Sequence, residues 1–240
     1  MKHTLAIFQK EFKSYFTTPI AYIFITIFLF FVNLIFFYLP GVFVRNVADM
    51  REFFMILPWI FLLFVPLVTM RLWAEEKKLG TMELLMTLPV RESEVIVGKF
   101  MAAFLFLAIA IILTAPIAIT LNLVGDPDMG PIYGGYLGAL LLGGAYLAIG
   151  LFSSSLTENQ IVAFIIGVFI CFILLFTGSD ILLFALPGWL VAIFKFIGLG
   201  SHFDSIGRGV VDSRDVIYYL SVIGFFLFLN LRSVESRKWK

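Results

Sequence analysis

The chain has 240 residues, of which 61% are hydrophobic, 17% aromatic and only 14% charged, and its mean hydropathy is +1.04. Soluble domains average roughly 45–50% apolar and 25% charged residues, so an ordinary soluble fold is excluded and the bilayer becomes the main solvent of an all-α polytopic membrane protein. Seventeen Lys and Arg against sixteen Asp and Glu leave a net charge of +1, which excludes a nucleic-acid-binding module and a disordered polyelectrolyte.

Residues 1–18 open the chain with an amphipathic pattern. Leu5, Phe8, Phe12, Tyr15 and Phe16 recur at helical spacing, and Lys2, Gln9, Lys10, Glu11 and Lys13 occupy positions between them. The spacing predicts an interfacial helix lying on membrane lipid and ending near Thr18-Pro19. Such a helix orients the first span, transmits motion to it, or does both.

A helix needs roughly 20 mainly apolar residues to cross the hydrocarbon core. Six charge-free runs approach that length, at about 20–39, 53–70, 100–123, 136–152, 161–176 and 216–231. The first is too long for a secretory h-region and is followed by Pro40-Gly41-Val42-Phe43 rather than a small-residue cleavage site, so it reads as a retained anchor.

Between the second and third runs, residues 71–99 hold five acids and five bases in 29 residues. Ala74 to Lys78, with Glu75 and Glu76, reads as the polar end of a helix continuing out of the second span. Gly80 then offers the break that a glycine just past a helix end supplies. Thr81 to Leu88 forms a second short helix closed by Pro89. In it Met82, Leu85 and Met86 share one face, Leu84 and Leu88 widen that face, and Thr81 and Glu83 are polar. The spacing fits a helix lying on headgroups as well as one docked in a groove on a soluble partner, with methionine supplying adaptable contacts.

Gly135, Ala139 and Gly143 recur every four residues in the fourth span, a small-residue stripe that permits close helix approach within one subunit, at a dimer seam or on a gating surface. The lone cysteine, Cys171, lies in an apolar run and excludes an intramolecular disulfide or a cysteine-only zinc site. Residues 177–215 join the fifth run to the sixth. Within them Ile181 to Leu199 is apolar enough for a seventh span, but Pro187-Gly188 breaks it and Lys195 charges it. A re-entrant or interfacial pair of outer half-helices is expected, with a kinked seventh helix as the alternative.

Basic residues set the direction of insertion. With the N-terminus cytoplasmic, the inner segments hold Lys2, Lys10, Lys13, Arg71, Lys77, Lys78, Arg91, Lys99, Arg232, Arg237, Lys238 and Lys240, and the outer ones only Arg45, Arg51, Lys195, Arg208 and Arg214. Both termini are therefore expected in the cytoplasm. The six spans contain no Asp, Glu, Lys, Arg or His, which disfavours an ion-coupled carrier. Asn33, Asn122 and Asn230 read as packing or end groups. HExxH and GxSxG motifs are missing, and Gly98-Lys99 is not part of a Walker A loop because Ser93 stands where its first glycine belongs. No catalytic, metal-binding or cofactor-binding residue is expected, so any uphill movement draws its energy from another polypeptide through a cytoplasmic contact.

The string RLWAEEKKLGTMELLMTLPV from Arg71 to Val90, followed by Gly98-Lys99-Phe100, resembles the signature of type-2 ABC transporter permeases, the exporter-type membrane subunits of ATP-binding-cassette systems. The opening Lys10 to Tyr22, with Ser201 to Asp204, Gly209 to Asp215 and Arg237 to Trp239, resembles the branch that includes gliding-motility permeases and permeases for nitrous-oxide-reductase maturation. The resemblance implies six transmembrane helices in the cytoplasmic (inner) membrane and two permease copies on two ATPase subunits that bind ATP and magnesium. It also implies a coupling helix at Gly80 to Leu88, with Glu75 and Glu76 before it, and an N-terminal interface helix carrying Phe8, Lys10, Glu11 and Phe12. The first outer loop is only about a dozen residues long, so substrate capture outside would fall to an auxiliary extracytoplasmic protein. A second reading is a scaffold that transports nothing and passes ATPase motion to such a protein.

Overall fold

The computed structural model describes residues 2–38, 49–87, 89–184 and 187–236, and all the regular structure among them is helical. In chain order the helices are α1 (Lys2–Thr17), α2 (Pro19–Tyr38), α3 (Arg51–Thr69), α4 (Arg71–Lys78), α5 (Thr81–Thr87), α6 (Glu92–Ile112) and α7 (Ala115–Val124). They are followed by α8 (Met129–Leu156), α9 (Gln160–Thr177), α10 (Asp180–Phe184), α11 (Gly188–Ile197), α12 (Leu199–Gly207) and α13 (Ser213–Glu235). Among the described residues, six stretches are long and apolar enough to cross a membrane: α2, α3 with α4, α6 with α7, α8, α9 and α13. The loop bearing Pro40 to Phe43 and Arg45, the residue Leu88, and the basic tail from Arg237 lie outside the described residues.

Helix α8 is the axis of the bundle. The share of its span buried inside the chain is 78%, against 22% for α9 and 11% for α13. Its small residues explain this, because neighbouring backbones approach closely only where no large side chain intervenes. Gly135 lies against the ring of Phe54, Gly143 against Leu107 and Phe61, and Ala139 is fully buried. The small-residue stripe thus faces α3 and α6 of the same chain.

Helix α2 packs by a different device. Its buried positions Phe24, Phe28, Val32 and Phe36 repeat every four residues. Phe24 and Phe28 meet Phe64 at ring-centroid distances of 5.4 and 5.6 Å, and Phe36 meets Phe53 at 5.6 Å. All three pairs are edge-to-face, the favoured geometry for aromatic side chains.

The third span, expected to be continuous over 100–123, is broken after Ile112. Pro116 lacks the N–H that would bond the Ile112 carbonyl, and its ring crowds the preceding turn. Thr114 caps the break: its hydroxyl donates to the Ile111 carbonyl at 2.6 Å and lies 3.1 Å from the Tyr136 hydroxyl.

Contacts between helix ends define the topology. Helices α8 and α13 run parallel, since Gly144 lies on Ile223 and the hydroxyls of Ser155 and Ser233 are 2.9 Å apart. The segment α10–α12 leaves α9 and enters α13 at the same end of the bundle, because Gly178 touches Gly198 while Gly209 touches Gly130 and Pro131. Helices α11 and α12 meet at 71°. Helix α1, the α4–α5 corner and the end of α13 gather at the opposite end, so both ends of the described chain lie on one side.

Candidate functional site

The site is built where α3 runs on into α4. The helix continues through Met70 because Ser154 of α8 secures the junction: its hydroxyl donates to the Met70 carbonyl at 2.8 Å and accepts the N–H groups of Trp73 and Ala74 at 3.0 and 3.1 Å. Lys77 donates to the Ser155 carbonyl from the same helix. Helix α4 stops at Leu79, and Gly80 takes the left-handed conformation with φ of 69°, which only glycine adopts without strain. The chain then turns into α5, where the Thr81 hydroxyl donates back to the Glu76 carbonyl at 3.2 Å.

Helix α1 lies along the start of α6. A β-carbon at Gly98 would stand 2.9 Å from Ile7 and 3.1 Å from the Thr4 carbonyl, so glycine here sets how closely the two helices cross. The inward face of α1 carries Ile7, Phe8, Phe12 and Phe16, with Phe8 and Phe12 stacked at 5.8 Å. Leu5 is exposed, and Ile7 packs over Gly98. Tyr15 is buried, stacks on Phe106 at 4.8 Å and carries the Arg71 guanidinium 4.8 Å from its ring centroid. Burial pushes its phenol well above the ordinary value, so it remains neutral.

These elements converge on Lys99. Its side chain is 1% exposed, and its ammonium lies 3.0 Å from Glu11 Oε1, 2.8 Å from Glu76 Oε1 and 3.0 Å from the Leu72 carbonyl. An ammonium has three N–H donors, and three acceptors receive them. It also lies 5.0 Å from the centroid of the Trp73 ring, a cation–π contact. One cation from α6 thereby ties α1 through Glu11 and α4 through Glu76. A cleft of about 590 Å³ opens beside the cluster, lined among others by Lys10, Arg71, Glu75, Glu76 and Thr81.

The structure thus gathers Lys10, Glu11, Glu75, Glu76 and Thr81 around one cleft. Met82, expected on an outward docking face, is instead buried in the chain's own core, whereas Thr81 and Glu83 are exposed. For Leu84, Leu85 and Met86 the backbone is described as helix but the side chains lie outside the described atoms. Gly135, Ala139 and Gly143 belong to the bundle interior, away from the cleft.

Sequence reasoning gave Lys99 no partner within the chain. The missed signal was its register: Val95, Ile96, Lys99, Ala102, Ala103 and Phe106 form one buried stripe of α6. A charge in an apolar stripe needs a partner, because an isolated buried ion is too costly. Among the described residues no group of three or more His, Cys, Asp or Glu is placed to hold a metal ion.

The described residues thus form a multi-pass helical bundle with an ionic cluster at the foot of its second and third spans. Residues 45–231 match the family described as ABC-2 family transporter protein, and the chain belongs to that family. It is the permease component of an ATP-binding-cassette transporter, and the family implies an ATPase partner. No curated protein matches the chain.

Proposed function

We propose that α5 is the coupling helix through which a separate ATP-binding-cassette ATPase moves this permease, and that two permease copies enclose a pathway for export from the cell. The Lys99 cluster supports this reading most directly. Displacement of α5 reaches Glu76 through Thr81, and Lys99 divides the load among α4, α1 and α6. Helices α3 and α4 together form one 28-residue rod, so a push at its cytoplasmic end tilts the second span. ATP and magnesium bind the ATPase and shift the permease only through different affinities for its inward and outward states.

In this reading both termini face the cytoplasm and the protein sits in the inner membrane. Residues 177–215 form outer half-helices, and α1 is the interface helix. The opening and closing segments resemble the branch of gliding-motility and nitrous-oxide-reductase-maturation permeases. The alternative, transmission of ATPase motion to an extracytoplasmic partner, draws support from the short first outer loop and the interlocked phenylalanines of α2 and α3. Electron-paramagnetic distance measurements across the dimer in ATP-bound and ATP-free states separate the two: an opening wide enough for solute supports transport, and a seal in every state supports transmission.

The docking role has its own test. Glu83→Arg and Leu85→Asp are each expected to weaken capture of the partner ATPase by about tenfold or more, as hot-spot substitutions do. Stimulation of its ATPase activity should fall in parallel. Native binding and stimulation in both variants would remove α5 from the coupling path.

A further inference from the structure

At the end of the bundle opposite α5, helix α11 is held in an unusual way. Helix α12 buries Leu199, Phe203 and Ile206, whereas α11 buries no residue at all. Its C-terminal end is secured by polar contacts. The last carbonyls of a helix have no partner within it, and here three consecutive ones receive donors from side chains. The Ser201 hydroxyl donates to the Lys195 carbonyl at 2.5 Å, His202 Nε2 lies 3.0 Å from the Phe196 carbonyl, and the Tyr218 hydroxyl donates to the Ile197 carbonyl. His202 Nδ1 lies 2.7 Å from Asp215 Oδ1 in the first turn of α13, and the imidazole stacks on the Tyr218 ring at 3.9 Å. His202 therefore joins α11, α12 and α13.

The partners of the imidazole determine its protonation. A carbonyl oxygen and an ionised carboxylate only accept hydrogen bonds, while a neutral imidazole donates from one nitrogen alone. Satisfying both contacts requires N–H groups on both nitrogens, which is the imidazolium cation. A neutral imidazole beside a protonated Asp215 is the same proton placed on the other atom. Either way the closed arrangement holds one proton more than the imidazole–carboxylate pair left when it departs.

We propose that His202 and Asp215 form a proton-dependent latch that holds the α11–α12 hairpin down on α13 and releases it as pH rises. The stabilisation is complete while the pair carries its proton and is lost as pH rises through its deprotonation. The ionisable groups on the elements packed there are Asp212, Arg214, Tyr218 and Tyr219 at the start of α13, Asp204 and Arg208 from α12, Lys195 from α11, Asp180 from α10, and Arg51 and Glu52 at the start of α3. Helix α8 presents Gly134 and Gly138 to α12 at this contact, and neither titrates. The latch does not depend on the transport role proposed above. In the orientation proposed there it reads external pH.

Hydrogen–deuterium exchange on the full chain in lipid nanodiscs, corrected for intrinsic exchange at each pH, tests the latch. From about pH 5.5 to 8.5, which brackets ordinary imidazole titration, protection of residues 188–207 in the native chain should fall about tenfold or more, the loss expected for one charge-assisted hydrogen bond. Protection within α8 should remain constant. His202→Gln and Asp215→Asn should show the low level across the whole range. Unchanged native protection would overturn the latch, and so would an undiminished pH response in His202→Gln, which would assign the titration to Asp204 or Asp180. If neither variant inserts, the native pH series alone decides.

Discussion

Replacing Lys99 by Met is expected to destabilise the foot of the bundle by about 3 kcal/mol, measured as thermal or denaturant unfolding in micelles of fixed composition. Removing one member of a buried ion cluster costs about 3–5 kcal/mol, because the remaining charges keep their desolvation penalty and lose their compensation. The lower figure applies because the Glu11 and Glu76 side chains retain 13% and 17% exposure and regain some water. The triple variant Lys99→Met, Glu11→Gln, Glu76→Gln should recover most of the loss, since no charge is left stranded. Added salt should change neither result much, because a buried cluster is poorly screened. A Lys99→Met chain as stable as the native one would show that the cluster contributes nothing to the fold. If stability falls and the triple variant restores it while ATPase coupling stays lost, the clamp serves transmission as well as folding.

Gly198→Ala should dislodge the α11–α12 hairpin. A β-carbon there would lie 2.3 Å from Gly178 Cα and 2.4 Å from Gly178 N. Both are backbone atoms at the end of α9, so no side-chain rotation relieves the clash. Either α9 loses its last turn or the hairpin moves away, at a cost of at least about 1–3 kcal/mol, as for overpacking in a core. Gly188→Ala is the matched control, because its β-carbon meets nothing within 4 Å. Hydrogen exchange should accelerate across residues 188–207 in Gly198→Ala and stay native in Gly188→Ala, with α8 protected in both. Equal exchange in the two variants would mean that the Gly178–Gly198 contact does not hold the hairpin.

The expected elements met the structure unevenly, for reasons that differ residue by residue. The break at Gly80 was legible because a left-handed position favours glycine whatever surrounds it. The break before α7 was equally local, since Pro116 lies in plain view within the run 100–123, but hydropathy weighed it as one more apolar residue. The sequence laid the apolar residues of α1 on lipid, whereas the structure packs Ile7, Phe8, Phe12 and Phe16 against the chain itself, with Ile7 in the gap that Gly98 leaves in another helix, and keeps Leu5 exposed. Met82 likewise had the right chemistry for an outward docking face and was claimed by the chain's own core.

The sequence by itself determined the solvent, the six apolar stretches and the position of the charged corner, because transfer free energy and helical periodicity act over neighbouring residues. The tertiary structure alone decided what those charges do. Lys99 meets Glu11 across 88 positions of sequence and Glu76 across 23, and His202 meets Asp215 only because α12 folds back on α13. The same applies to the small-residue stripe, whose spacing permits close approach to any helix and whose partners, Phe54, Phe61 and Leu107, were selected by the packing of α3 and α6. A buried charge or a missing side chain creates a requirement that the local sequence states and only a distant residue can meet.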